Sequence, residues 1–291
     1  MNFSCPGCSN TQFVTVQKYL GTAEGFTKKQ IVSCSRCQLK SVYPIPSPSQ
    51  VDAYYSTYWE KSDTDLLSPL LEAQAASRYE FLATLIKGIE PLKILDIGAG
   101  LGQMKKCFAP STRYDAVEID PVAVDVLKNR VGAEQVYARI DEADSNYDLV
   151  ILSHILEHIA EPIPFLNEVK SRIKRSGVLF IEVPNKDFAY KERNQPHLLF
   201  FELPTLGSVV SSAGFNVERS DTCGMLISSL KSMHRRGFKP LRSFLKSIIP
   251  NSVLKKLRRK NNEASVNSLL ECTSLYGGDR QWLRMAARVD H

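Results

Sequence analysis

The chain has 291 residues, 43% of them hydrophobic, and a formal net charge of +6 at pH 7. That length holds one large domain and something smaller, and the apolar share supplies a core, which excludes a wholly disordered chain. No apolar run reaches the length a bilayer span requires, and cysteines stand where a signal peptide would carry its apolar stretch, so a cytoplasmic location is expected.

In chain order, the first pattern is Cys5-Pro-Gly-Cys8 with Cys34-Ser-Arg-Cys37. The segment between the pairs reads as a hairpin, TQFVTVQKYL, GTAEG and FTKKQIVSC. Four thiolates on two such knuckles converge tetrahedrally, the spacing of a structural zinc ribbon over residues 1–45. A unit that small lacks the core to fold unaided, and four cysteines leave no open position for a catalytic metal. Cys107, Cys223 and Cys272 read as core or incidental residues.

Residues 46–90 read as an aromatic linker and leading helices. The prolines of VYPIPSPS make an extended link. Tyr54, Tyr55, Tyr58 and Trp59 then share one helical face, which either packs or covers a cationic ligand. From Leu66 to Gly88 apolar residues recur at helical intervals.

Residues 91–291 form the main domain. Strands are expected at Ile94 to Ile97, Tyr114 to Ile119, Gln135 to Ala138, Asp148 to Ser153 and Val178 to Val183, alternating with helices. One helix begins near Glu161 and stops at Gly177, and Gln281 to Val289 reads as the last strand. This alternation predicts an α/β fold, a doubly wound and mainly parallel seven-stranded sheet whose ligands sit at the carboxyl ends of the strands.

The stretch KILDIGAGLGQ turns a strand at once into a helix through Gly98, Gly100 and Gly102. Only glycine adopts such backbone angles cheaply, and a loop without side chains can cradle a nucleotide. The GxGxG spacing, with no Lys-Ser/Thr after it, argues against NAD and ATP. Glu118, about 20 positions on at a strand end, is placed to grip a ribose.

Asp96 to Gly102, followed by Ala116-Val-Glu-Ile-Asp-Pro121, resembles the first two motifs of class I methyltransferases, which bind S-adenosylmethionine (SAM). The resemblance runs on through Tyr147 to Val150, Ser153 to Ile159 and Val183-Pro-Asn185, ending near Gly214-Phe215. It implies SAM contacts from Asp96, Gly98, Ala99, Gly100, Gly102, Glu118, Ile119, Ser153 and His154, with adenine against Arg139 to Asp141. The ribbon, proline link and YYSTYW segment further resemble a subgroup that modifies sugars and surface polysaccharides, which implies a nucleotide-linked sugar or glycan acceptor.

His154-Ile-Leu-Glu157-His158 also carries the HxxEH spacing of inverted zinc proteases, but His154 ends a strand, so both histidines cannot share one helix. His154 is expected to line the site, while Glu157 and His158 cap and pack the next turn. His197 opens the following helix and is the candidate base for an acceptor hydroxyl. In the carbon-methylating relatives this region reads Tyr-His-Glu-His; here Asn194 and Pro196 stand at the tyrosine and glutamate positions, which argues against carbon methylation.

Between Thr222 and Asn262 lie 11 Lys or Arg and no Asp or Glu, leaving 26 basic against 31 acidic residues elsewhere. The insertion at 228–262 therefore carries the positive balance. Its residues 237–260 interleave Phe, Leu and Ile with the charges, a pattern suited to an anionic membrane surface on the inner face, a packed basic rim, or RNA. The expected activity is methyl transfer to a sugar or glycan precursor, with an RNA methyltransferase and a non-catalytic SAM-binding scaffold as competing readings.

Overall fold

A computed structural model describes residues 3–55, 64–235 and 275–290. Its main element is a seven-stranded sheet in the order β10-β11-β8-β7-β4-β5-β6. The strands are β4 (Lys93–Ile97), β5 (Arg113–Val117), β6 (Gln135–Tyr137), β7 (Tyr147–Ser153), β8 (Ile173–Pro184), β10 (Phe215–Leu226) and β11 (Arg280–Val289). Strands β6, β5, β4, β7 and β8 run parallel, and β11 is antiparallel to both β8 and β10. This is the doubly wound sheet expected from the alternation.

The central strands are near-continuous apolar runs because both faces of the sheet are covered. One face presents Leu95, Ile97, Val150, Leu152, Leu179 and Ile181 to Leu166, Val169, Leu206 and Val209. Those four side chains come from α4 (Pro162–Lys170) and α5 (Leu203–Ser212). The alternate residues Ile94, Leu149, Ile151, Val178 and Phe180 face Phe81 and Leu82 at the end of α2 (Thr64–Leu82), and Leu127 beyond α3 (Pro121–Val126).

A smaller sheet, β1-β2-β3-β9, is built on the N-terminal cysteines. It contains β1 (Phe13–Lys18), β2 (Gln30–Cys34), β3 (Lys40–Tyr43) and β9 (Leu199–Phe200), so its fourth strand comes from the main domain. Ser41 pairs with Leu199 and Lys40 with Phe200. Tyr19, Phe26, Ile31 and Val42 of the N-terminal unit share one core with Leu198 and Phe200. The small unit thereby borrows the core it could not build alone.

Several local expectations are corrected. The residues after Gly102 form a single 3-10 turn, Gln103–Cys107. Gly177 stops no helix, since α4 ends at Lys170; it lies inside β8, where a Cβ would press within 2.7 Å of the Tyr147 carbonyl. Val42 and Tyr43 belong to β3, and the linker soon becomes α1 (Pro48–Tyr55). His197 precedes β9 instead of opening a helix, and α5 starts at Leu203. Tyr58, Trp59 and residues 237–260 lie outside the described residues. Among the described residues no helix is long and apolar enough to cross a membrane.

Candidate active site

At the carboxyl end of β4 the chain passes through Gly98 at φ 67° and Gly100 at φ 53°. A Cβ at Gly98 would also collide with Ile155, so both backbone angle and space require glycine there. Gly100 N donates to Glu118 Oε2 at 2.8 Å, while Glu118 Oε1 accepts from Ile119 N at 2.8 Å and Asp120 N at 3.0 Å. Glu118 thus joins the end of β5 to the glycine loop. Asp96, inside β4, accepts from the Tyr114 hydroxyl at 2.6 Å, and burial raises its pKa to about 7.

These groups line a cavity of about 700 Å³ that continues to His154, Glu157, His158 and His197. His154 follows β7 at φ 59°, a turn that carries its imidazole to 3.1 Å from Glu182 and 3.3 Å from Glu157. Glu182 is the one acidic residue within β8 and is fully buried. Arg78 from α2 reaches its Oε1 at 2.7 Å and Arg284 from β11 its Oε2 at 2.6 Å. Burial alone would raise the Glu182 carboxyl, but the two guanidiniums outweigh it and hold it well below the usual range. For His154, burial pulls downward, yet the adjoining carboxylates win and raise its pKa.

His197 stands at the far end of the cavity, where Asp187 Oδ2 lies 2.6 Å from its Nδ1. That contact leaves Nε2 as the ring nitrogen available to a ligand. Glu157 is 1% exposed. Burial raises its carboxyl, but the neighbouring imidazoles bring it down to about 2. Burial pushes His158 to about 4, so at neutral pH an ionised carboxylate sits beside a neutral imidazole.

The family model described as "Methyltransferase domain" matches residues 68–220, the stretch that carries this cavity. The chain belongs to the methyltransferase-domain family. Its fold is that of 1,6-didemethyltoxoflavin-N1-methyltransferase from Burkholderia thailandensis, solved with S-adenosylhomocysteine and its acceptor. The two superpose with a TM-score of 0.52 at 15% identity, covering 94% of this chain and all of that one. A ubiquinone biosynthesis O-methyltransferase from Rhodopseudomonas palustris is 26% identical over 125 residues, 39% of this chain and 48% of the relative. An uncharacterised Methanocaldococcus jannaschii protein is 25% identical over 181 residues, 60% of this chain and 78% of that protein. The chain spans about half the length of the first of these curated relatives.

The methyltransferase domain brings most of its sequence-predicted residues to one cavity: Asp96, Gly98, Ala99, Gly100, Glu118 and Ile119 at one end, Ser153, His154 and His197 further along. A glycine loop that exposes backbone, with a carboxylate at the next strand end, fits the adenosyl and methionine portions of SAM. Arg139 also lines the cavity, whereas Asp141 is held outside it in a salt bridge to Arg139 at 2.9 Å. Gly102 is off the wall as well, and its missing side chain makes room for Leu127, 2.8 Å from where a Cβ would lie.

Glu157 and His158 are the main departure from the sequence reading, since both face the cavity instead of only packing a turn. The HxxEH spacing was the available signal. Asp187 and Lys191 carried none, because the loop after β8 is placed by contacts distant in sequence, Gln17 with Phe188 O on one side and Gln281 with Asn185 and Tyr190 on the other. Tyr55 also reaches the cavity, with its ring 5.5 Å from that of His158.

Cys5, Cys8, Cys34 and Cys37 converge with their sulfurs all within 4.8 Å of one another. The Cys5–Cys37 and Cys8–Cys34 separations are both 3.5 Å, near the ~3.8 Å edge of a tetrahedron with the usual zinc–sulfur bond. Four soft donors at that spacing fit zinc. The knuckle abuts α5, for a Cβ at Gly7 would lie 3.4 Å from Val209.

Proposed function

We propose that this methyltransferase moves the methyl group of SAM to a hydroxyl oxygen of a sugar or glycan precursor. The observation that carries the reading is the single cavity joining the Gly98–Glu118 cradle to His197. SAM supplies an activated methyl group; the acceptor oxygen forms the new bond to carbon as the carbon–sulfur bond breaks, and the sulfonium leaves as a neutral thioether. The protein's task is alignment and proton removal.

Glu118 holds the ribose hydroxyls and the glycine loop approaches the methionine end. His154, its pKa raised by Glu157 and Glu182, donates to the cofactor or acceptor. His197, oriented by Asp187, takes the acceptor's proton. The four cysteines hold a structural zinc that keeps the β3–β9 junction in place. A polyhydroxylated acceptor suits the polar wall of Glu157, His158, Lys191 and His197. The departure from Tyr-His-Glu-His around His197 supports oxygen over carbon.

A second reading has its own support: the O-methyltransferases of ubiquinone biosynthesis match the same domain, and Tyr55, Leu71, Ile155 and Phe165 give the cavity an apolar side. One experiment separates the two. The protein is incubated with methyl-labelled SAM and a cell extract, and label is counted in nucleotide sugars, lipid-linked glycans, quinone lipids and RNA. Label in a sugar fraction supports the first reading, and label in the quinone fraction replaces it with the second. Label in RNA overturns both.

A further inference from the structure

Glu157, His158 and His197 each bring a ligand atom to within 4.8 Å of the other two. Two come from the 3-10 turn Leu156–His158 and one from the segment before β9, two pieces of chain locked together where Leu198 N donates to Glu157 O at 2.8 Å. The Glu157 carboxylate is buried, yet neither oxygen takes part in a well-formed hydrogen bond. Its nearest nitrogens are His154 Nδ1 at 3.3 Å and His158 Nε2 at 3.7 Å. A buried carboxylate whose closest donor, His154, stands no nearer than 3.3 Å keeps lone pairs open to a further cation.

His197 adds an independent sign. Its Nδ1 is fixed by the buried Asp187 at 2.6 Å, the carboxylate–imidazole contact that orients a histidine's other nitrogen toward a metal and raises its basicity. Two imidazoles and one carboxylate form a borderline-soft donor set suited to zinc, cobalt, iron or nickel, whereas magnesium and calcium prefer all-oxygen sites. Three protein ligands also leave positions open for a substrate oxygen.

We propose that Glu157, His158 and His197 form a second, catalytic-type site for a divalent transition-metal cation, distinct from the four-cysteine site, whose open positions take the acceptor oxygen. Its use rests on the methyl-transfer reading above, but its existence does not. With the cation bound, His197 Nε2 serves as ligand. The coordinated hydroxyl then loses its proton more readily to solvent, in place of direct transfer to His197.

The test uses the full chain, stripped with a chelator and reloaded with cobalt(II) alone. Thiolate-bound cobalt absorbs intensely in the near ultraviolet through sulfur-to-metal charge transfer, and a nitrogen/oxygen site does not, so one titration reads both sites. Two cobalt ions per chain are expected, with charge-transfer intensity for only one. E157Q and H158Q should each lose the second ion, weakening its binding at least tenfold, while the thiolate bands stay intact and report a folded ribbon. Cobalt bound in the wild type only with thiolate charge transfer, or E157Q and H158Q that both still bind two, overturns the site. Two ions without methyl transfer to any acceptor keeps the site and removes the functional reading.

Discussion

Asn194 and Leu20 are bound to each other twice: Leu20 N donates to Asn194 Oδ1 at 2.7 Å, and Asn194 N donates to Leu20 O at 2.8 Å. Three residues later His197 N donates to Asn194 O, and the Tyr19 hydroxyl donates to His197 O at 3.1 Å. The loop carrying the candidate base therefore hangs on the N-terminal sheet. Asn194→Ala is expected to remove the part-buried bond to Leu20 N and cost about 1 kcal/mol of stability. Cys34→Ser, which breaks the proposed zinc set, is expected to lower methyl transfer while SAM binding at the other end of the cavity survives. Calorimetric SAM affinity set beside a turnover assay checks this, and equal loss of both would mean that the ribbon supports the whole domain.

Glu118 accepts three backbone amides at the mouth of the glycine loop. Glu118→Ala removes that tie together with the proposed ribose contacts. Charge-assisted hydrogen bonds contribute about 1.5–3 kcal/mol each, so SAM affinity should fall about tenfold to a hundredfold. Titration calorimetry against S-adenosylhomocysteine decides it, and unchanged affinity would remove Glu118 from the cofactor site.

Asp96 gives a pH dependence with a definite sign. Burial raises its carboxyl from 3.8 to about 7, more than Tyr114 and Arg78 pull it down. Between these values the native state holds a proton that the unfolded chain has lost, so stability is highest below about pH 4 for this group and falls as pH rises toward 7. The shift corresponds to a loss on the order of 4 kcal/mol across that window. Asp96→Asn keeps an acceptor for the Tyr114 hydroxyl and should remove this falling component. Urea unfolding of both proteins between pH 4 and 8 measures the difference, and parallel curves would refute it.

The cofactor end of the site was legible from local sequence. Gly98 and Gly100 are needed where a strand turns sharply, and Glu118 ends the next strand, so both signals sit within a few residues of the structure they create. The acceptor end was not, because it depends on contacts distant in sequence. Asp187 meets His197 only after the loop beyond β8 folds back, and the partner of β3 is a two-residue strand too short to show a period. The expected helix at His197 failed for the same reason: Leu198 and Phe200 answer to the core of the N-terminal sheet and Leu199 and Phe201 to the main core, a tertiary demand that helical periodicity does not encode. Glu182 was the opposite case, an acid within an apolar strand whose meaning came only from Arg78 and Arg284 on elements far along the chain.

His197 and Asp187 furnish the last prediction. Asp187 is 1% exposed, lies 2.6 Å from His197 Nδ1 and is also approached by Lys191 at 3.2 Å. His197→Ala removes the group closest to the proposed proton transfer, and a lost general base or activated oxygen lowers turnover by about 10² to 10⁴. Asp187→Asn keeps the volume but lets the ring choose its other tautomer, so kcat should drop while KM for SAM holds. If Asp187 only braced the loop, acceptor and SAM binding would weaken along with kcat, and a stability loss would accompany them. Steady-state kinetics with a thermal melt on both variants separates these outcomes, since a positioning role moves kcat alone and a structural role moves all three.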